Sequence, residues 1–257
     1  SSLVALQTLK NVNKGMGKVQ NEISTGLKVS NAKDNSSSWS IASTMNSDVR
    51  SYKKLSDSLT SASAMVGTAR VAAEQVSDIL KQIQEKVVQG QNPDADATKL
   101  DAEITALANT ITSIAGSAQY NGINMVNGGA NQTVTVSINR DAAGVLTTGT
   151  FTINAVALGG LGGGITSAST PDAVDTMIDT ANSAAAAFGA AQARIDAQNE
   201  FLGKQADSLK VGVGAMVDAD MEEASARLQA LQVQQQLGIQ SLSIANQAPQ
   251  RLLSLFR

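Results

Sequence analysis

Between Ile41 and Val87 an apolar residue returns every three or four positions: Ile41, Met45, Val49, Tyr52, Leu55, Leu59, Ala62, Val66, Ala69, Ala73, Val76, Leu80, Ile83, Val87. That spacing keeps one helix face apolar over about 47 residues, about 70 Å at 1.5 Å per residue. A helix this long outruns any small globule. Its stripe has to be buried against another long helix, so the chain is expected to fold as an elongated helical bundle built for assembly.

The other segments fit that frame. Leu3, Leu6, Leu9, Val12, Met16, Val19, Ile23 and Leu27 make a first helical stripe, which ends in TGLKVSNAKDNSSS (25–38), rich in Gly, Asn and Ser. Asp34, Asn35 and the following serines are candidate N-caps for the long helix. Gly90 is a candidate C-cap, and Pro93 blocks continuation. A second helix is expected from near Asp96 or Thr98, with Leu100, Ile104, Leu107, Ile111, Ile114 and Ala118 on one face, folded back antiparallel by the short connection.

From Tyr120 the texture changes. Asn121-Gly122 and Asn127-Gly128-Gly129 are turn signals. TVTVSI (133–138) and TFTINAV (150–156) alternate with period two, so a small antiparallel β element is predicted at about 130–158, its strands separated by NRDAAGVLTTG, long for a hairpin loop. ALGGLGGGITSAST (157–170) reads as a connection that either packs tightly or stays mobile. Thr170-Pro171 restarts the helix with Pro in the favoured first position. Val174, Ile178, Ala181, Ala185, Phe188, Ile195, Leu202, Ala206, Leu209, Val213 and Met216 carry it onward. Asp220-x-x-Glu223 is a capping-box pattern opening a last helix. Its apolar side is Ala224, Leu228, Leu231, Leu237, Leu242 and Ala245, and Pro249 is expected to end or kink it. Long helices at both chain ends with β material between them predict that the N- and C-terminal helices pair.

Composition narrows the chemistry. The 257 residues include no Cys and no His, which removes thiol chemistry, disulfides, the usual zinc sites and the commonest general base. One Trp, two Tyr and four Phe are few for a ligand pocket or a base-stacking platform. Residues 1–56 hold eight Lys/Arg against three acids, but no aromatic interleaves with those lysines, so the arm reads as a solvated or assembly-facing surface and no nucleic-acid partner is expected. The start SSLVALQTLKNVNK lacks the basic lead, apolar core and cleavage site of a secretory signal. The charge-free stretches 104–139, 142–171 and 228–250 are too rich in Gly, Asn, Thr, Ser or Gln for membrane insertion.

No catalytic constellation emerges. Ser-His-Asp and Cys-His sites are impossible, and no motif supports a Ser-Lys variant. Asp94/Asp96, Asp218/Asp220 and Glu222/Glu223 stand at predicted helix starts, where acids cap amides and oppose the dipole. The stretch 94–105 lacks the ligand spacing of a Ca²⁺ loop. Gly159–Gly164 lacks the Lys-Ser/Thr of a phosphate loop. Asn35-Ser36-Ser37 and Asn131-Gln132-Thr133 match the short N-glycosylation pattern. No enzyme activity, metal or cofactor is expected. The Gln-rich, charge-free stretch 228–250 suits a crowded helical interface, where amides hydrogen-bond between neighbours without burying ions.

Two motifs at opposite chain ends resemble one family. EISTGLKVSNAKDNSSSWSIA (22–42) resembles the N-terminal signature of bacterial flagellin. VDADMEEASARLQALQVQQQLGIQSLSIANQAPQRLLSLFR (217–257) resembles the flagellin terminus, through Asp218-Ala219-Asp220, the Gln-rich helix, Ala245-Asn246-Gln247 and the ending Leu252-Leu253-Ser254-Leu255-Phe256-Arg257. Gln119-Tyr120-Asn121-Gly122 resembles the family's aromatic-Asn-Gly turn. The resemblance covers almost the whole chain and is weakest at about 130–170.

It implies a structural subunit that self-polymerises into the extracellular flagellar filament for swimming motility. The alternatives are a flagellin-like hook–filament junction protein, or a surface glycan-binding protein on the same scaffold. Residues 1–36 and 217–257 would form an inner coiled-coil domain. Residues 37–216 would form an outer helical bundle with the minimal β element. The fold expected is thus mainly α: an elongated antiparallel long-helix bundle with paired terminal helices and a small central antiparallel β element. Leu6, Leu9, Ile23, Leu228, Leu231, Leu242 and Leu253 are the assembly and core candidates. The implied partners are further copies of the chain, a type III export chaperone at the C-terminal helix, and filament cap and hook-junction proteins. Two departures from the family accompany these. The resemblance implies a short further stretch before Ser1, with an Ile-Asn-Thr-Asn element. In LKQIQEKVVQ (80–89), Gln82 and Lys86 stand where many flagellins carry the Arg and Leu that engage the vertebrate flagellin receptor, while Glu85 is kept.

Overall fold

In the computed structural model the backbone is described for residues 2–255 and the side chains for residues 3–245. The elements run α1 (Ser2–Thr25), α2 (Ser36–Gly90), α3 (Ala97–Ser117), β1 (Gln119–Tyr120), β2 (Ile123–Asn124), β3 (Gln132–Arg140), β4 (Leu146–Ile153), α4 (Pro171–Val217) and α5 (Met221–Leu255). The chain divides into two compact units. One comprises Ser1–Val49 with Asp207–Arg257, the other Arg50–Ala206.

The Arg50–Ala206 unit holds most of the fully buried core. On α2 the predicted stripe is buried from Tyr52 to Val87, and Met65, Ala72 and Ile79 widen it. Facing residues come from α3 (Leu100, Ile104, Ile111, Ala115) and α4 (Val174, Ile178, Ala181, Phe188, Ile195, Leu202). Leu107 and Ile114, expected on the same face of α3, are half-buried. Asp96 caps α3, its side chain accepting from the Lys99 amide at 3.2 Å.

Gly90 ends α2, but its absent side chain matters for close packing. A Cβ there would lie 2.4 Å from the Ser167 carbonyl oxygen. Gln91 Nε2 donates to the carbonyls of Val87, Ser167 and Ser169 at 3.1–3.3 Å. Asp101 accepts from the Ser167 amide at 2.6 Å. The Gly-rich connection is therefore packed: Leu158 is fully buried, and Gly162 sits where a Cβ would meet Ile83 at 3.1 Å.

Tyr120 pairs with Ile123 across Asn121-Gly122, both with positive φ (49° and 80°), the geometry of a two-residue hairpin turn. The β element is a two-stranded antiparallel sheet, β3 against β4, running from Gln132↔Ile153 to Arg140↔Leu146 with an irregularity between Thr135 and Ser137. Both strands extend further toward the turn than predicted. Asp141 side-chain and backbone bonds to Val145 and Gly144 tighten residues 141–145 into a compact turn, so no long loop separates the strands. β4 correspondingly stops at Ile153 rather than continuing to Val156. A groove of about 700 Å³ lies between β4 and α4, with Phe151, Val156 and Phe188 in its lining. The Arg194 guanidinium stacks 4.1 Å from the Phe151 ring centre.

In the other unit α5 continues past Pro249 to Leu255, so the expected stop at Pro249 is not observed. Ile41, the first residue of the predicted α2 stripe, is 50% exposed; only its neighbour Ala42 is buried there, in a cluster with Val29, Val213 and Val217. No described helix is long and apolar enough to cross a membrane.

Candidate assembly interface

The TGLKVSNAKD segment joins α1 to α2, and the side chains of Thr25, Leu27, Val29, Ser30 and Asp34 hold it in place. Thr25 Oγ1 donates to the Asn21 carbonyl at 2.7 Å and accepts from the Leu27 amide at 3.2 Å. Gly26 takes φ +71°, a conformation that favours glycine. The chain then forms a short antiparallel bridge with the end of α4 and the connection to α5. The Lys28 and Val29 amides donate to the Val217 carbonyl at 2.7 and 3.2 Å, and the Ala219 amide donates to the Gly26 carbonyl at 2.9 Å. Beneath the bridge Leu27, Met45 and Met216 pack on the Val29, Ala42, Val213 and Val217 cluster.

Asp34 gathers the rest of the motif. Its Oδ2 accepts from the Ser30 amide and hydroxyl and from the Asn31 amide at 3.0–3.2 Å. The Ser30 hydroxyl bond above all holds this carboxyl below its ordinary value of 3.8. Asn35, not Asp34, caps α2, accepting from the Ser38 amide at 3.1 Å. At α5 the Asp220 Oδ1 accepts from the Glu222 and Glu223 amides at 3.0 and 3.1 Å, while the Glu223 carboxylate pairs with Arg227. Glu22 is buried with Lys18 4.0 Å away.

From this junction α1 and α5 run antiparallel. Gly15 sits where a Cβ would meet both Leu231 methyls at 3.6 Å, and Gly238 where one would meet a Leu9 methyl at 3.3 Å. Gln235 Nε2 donates to Asn13 Oδ1 at 2.7 Å between them. Val12, Val19 and Ala224 are buried in the seam. Elsewhere the pair leaves apolar surface uncovered: Leu3, Val4 and Leu6 on α1 are 80, 70 and 40% exposed, and Val233, Leu237, Ile239 and Ile244 on α5 are 53–69% exposed. A groove of about 410 Å³ runs along the pair, with Val4, Val12, Leu237 and Gly238 in its lining. Single exposed apolar residues are ordinary on a protein surface. Here a series of them lies along one two-helix pair, with no charged residue between Leu228 and Ala245.

The bacterial flagellin N-terminal helical region matches residues 1–131, and the bacterial flagellin C-terminal helical region matches residues 172–256. The chain belongs to the bacterial flagellin family. It is 39% identical to a flagellin of Brucella melitensis biotype 1 over 273 residues, covering 100% of this chain and 97% of the relative. Flagellin FljM of Caulobacter vibrioides is 34% identical, with 100 and 96% covered, and flagellin C of Rhizobium meliloti 33%, with 100 and 97% covered. A crystal structure of Bacillus cereus flagellin shares 22% identity, with 65% of this chain and 93% of that one covered and a TM-score of 0.37. As a flagellin, the chain is a structural subunit of the flagellar filament.

Of the residues singled out from the sequence, Leu9, Ile23, Leu228, Leu231 and Leu242 are half-buried along α1 and α5, and Leu6 is exposed. Leu253 lies outside the described side chains. Leu237, expected among the packed positions, is 58% exposed. Val4, Val233, Ile239 and Ile244 belong to the uncovered surface and escaped the stripe reading, since they fall off its period. Their signal was apolar character inside, or facing, a segment without charge. In the Arg50–Ala206 unit Gln82 and Glu85 are exposed, and Lys86 Nζ is 2.5 Å from Glu103 Oε2. Among the described residues no cluster of acids is placed to hold a metal ion.

Proposed function

We propose that this flagellin polymerises through the α1–α5 pair, with residues 1–36 and 217–257 forming the inner coiled-coil domain of the filament and residues 37–216 its outer helical bundle. The observation that carries the proposal is the uncovered apolar surface of that pair. Covering it by neighbouring copies removes from water the side chains left exposed in a single chain, at about 25 cal/mol per Å² of apolar area. The Gln side chains of α5 supply hydrogen bonds in such a contact without the cost of desolvating ions.

The same reading places the working protein outside the cell, in the filament, after type III export. A chaperone covers the C-terminal helix before export, and cap and hook-junction proteins meet the terminal helices at the filament ends. Replacing Leu228, Leu231 and Leu242 together with Ser tests the polymerisation claim. Sedimentation of the variant under seeding is expected to show monomer only, with the helical circular dichroism of the Arg50–Ala206 unit kept. Filaments of normal yield from the triple variant would refute it.

A further inference from the structure

With no cysteine, the chain carries all its sulfur in seven methionines. A thioether is a weak hydrogen-bond acceptor, and methionine mostly serves as adaptable apolar filling. Six of the seven fit that role or lie near water. Met65 and Met125 are buried, at 7 and 1% exposure. Met45 and Met216 pack on the Val29, Ala42, Val213 and Val217 cluster. Met16 is half-buried on α1, and Met221 is 44% exposed at the start of α5.

Met177 has a second task. It is half-buried on α4, and its Sδ accepts the backbone amide of Gly162 at 3.4 Å. Gly162 is buried in the Gly-rich connection and takes φ +83°. A Cβ there would lie 3.1 Å from a methyl of Ile83 and 3.4 Å from one of Ile111. The Gly162 carbonyl accepts from the Ile165 amide at 3.4 Å. The connection is thus pressed onto core residues of α2 and α3 at Gly162, and the amide enclosed there has a sulfur lone pair as its acceptor.

That same sulfur is the atom a peroxide attacks. A sulfur lone pair takes one oxygen of hydrogen peroxide, the O–O bond breaks, and the hydroxide released takes the remaining proton to leave as water. Sulfur is oxidised by two electrons to the sulfoxide, and the peroxide is reduced. Neither lone pair gives a product that keeps the bond. An N–H···O bond needs about 2.7–3.2 Å between its heavy atoms. The Gly162 nitrogen is only 3.4 Å from the sulfur, so an oxygen added on the side facing the amide comes far too close. An oxygen added on the other side points away, and the sulfur left facing the amide carries positive charge and accepts poorly. Either the amide loses its acceptor or Gly162 moves off Ile83 and Ile111. A buried donor without a partner is costly, so the connection opens.

We propose that Met177 is a peroxide-responsive latch: as the thioether it holds the 158–165 connection against the core, and as the sulfoxide it releases it. Methionine sulfoxide reductases supply the reverse step. The latch lies within the Arg50–Ala206 unit of the single chain and does not depend on how copies assemble.

The test treats the full-length chain with hydrogen peroxide. Peptide mass spectrometry reads conversion of Met177, with exposed Met221 as the reference, and hydrogen exchange reads the Gly162 amide. Exchange at Gly162 is expected to rise about tenfold as Met177 converts, the change that orphaning one buried amide produces, and to fall back after treatment with methionine sulfoxide reductase. Met177→Leu conserves volume but lacks the acceptor. In that variant Gly162 should exchange fast before peroxide and gain nothing from it. Met45→Leu, Met216→Leu removes the oxidisable sulfurs of the other unit's cluster and should respond as the native chain does, which keeps the test decisive if Met177→Leu fails to fold. Three results would each overturn the proposal: Met177 converted with Gly162 protection unchanged, Met177 unreacted when Met221 is fully converted, or a response lost in the Met45→Leu, Met216→Leu chain.

Discussion

Single residues in this chain act mostly through the space they leave or the amides they satisfy. Gly90 is the clearest case of the first kind. An alanine there would drive its Cβ to 2.4 Å from a backbone oxygen and 2.7 Å from the Ser167 side chain. Backbone gives way poorly, so Gly90→Ala is expected to lower stability by about 1–3 kcal/mol, the usual cost of overpacking, read as a lower urea midpoint with an unchanged slope. Asp34 is the clearest case of the second kind. Its folded-state carboxyl lies below the ordinary 3.8 because the Ser30 hydroxyl, assisted by two backbone amides, favours the charged form. The stabilisation is therefore complete above 3.8 and is lost as pH falls through the lower folded value. Asp34→Asn should remove that part of the acid-induced loss while leaving the profile near neutrality flat. A pH titration of unfolding for both chains checks this, and an unchanged acid limb in the variant would contradict it.

At the scale of elements, helix existence was legible and helix neighbourhood was not. The Tyr52–Val87 stripe, the Asp96 cap, the Asn121-Gly122 turn and the Pro171 start all follow from local chemistry, and the structure places each of them there. The failures share a cause. Ile41 keeps the period but has no facing residue to cover it, since burial depends on what lies opposite. β4 shifted toward the turn because Asp141 organises a compact turn, a bond set that alternation does not reveal. Pro249 is tolerated within α5. The glycines of 157–164 left tight packing and mobility both open, because a sequence does not show that Ile83 and Ile111 close over Gly162. The candidate interface was legible to the same degree: the half-buried leucines followed from spacing, the uncovered Val4, Ile239 and Ile244 did not. One element-level expectation concerns the start of α5. Asp220 accepts two of the free amides there, so Asp220→Ala should cost about 0.5–2 kcal/mol. Because α5 packs on α1, hydrogen exchange should accelerate in the first turn of α5 and in the Gly26–Val29 bridge together. Acceleration confined to residues 221–224 would show that cap and bridge are independent.

For the whole molecule, the contrast between the two units is the functional statement. The Arg50–Ala206 unit carries fully buried columns on α2, α3 and α4. The α1–α5 pair buries a thin seam and leaves large apolar side chains in water. A thin seam covers little of the ordering entropy of two long helices, so neighbouring copies are expected to complete their stabilisation on assembly. That is the expected design of a subunit that travels unassembled and is completed by its copies. The decisive measurement is limited proteolysis of the full-length chain before and after seeding, read alongside sedimentation. The chain should sediment as polymer, with cleavage within α1 and α5 suppressed and cleavage rates in the Arg50–Ala206 core little changed. A chain that remains monomeric under seeding, with α1 and α5 cut as fast as before, would contradict assembly through the terminal pair.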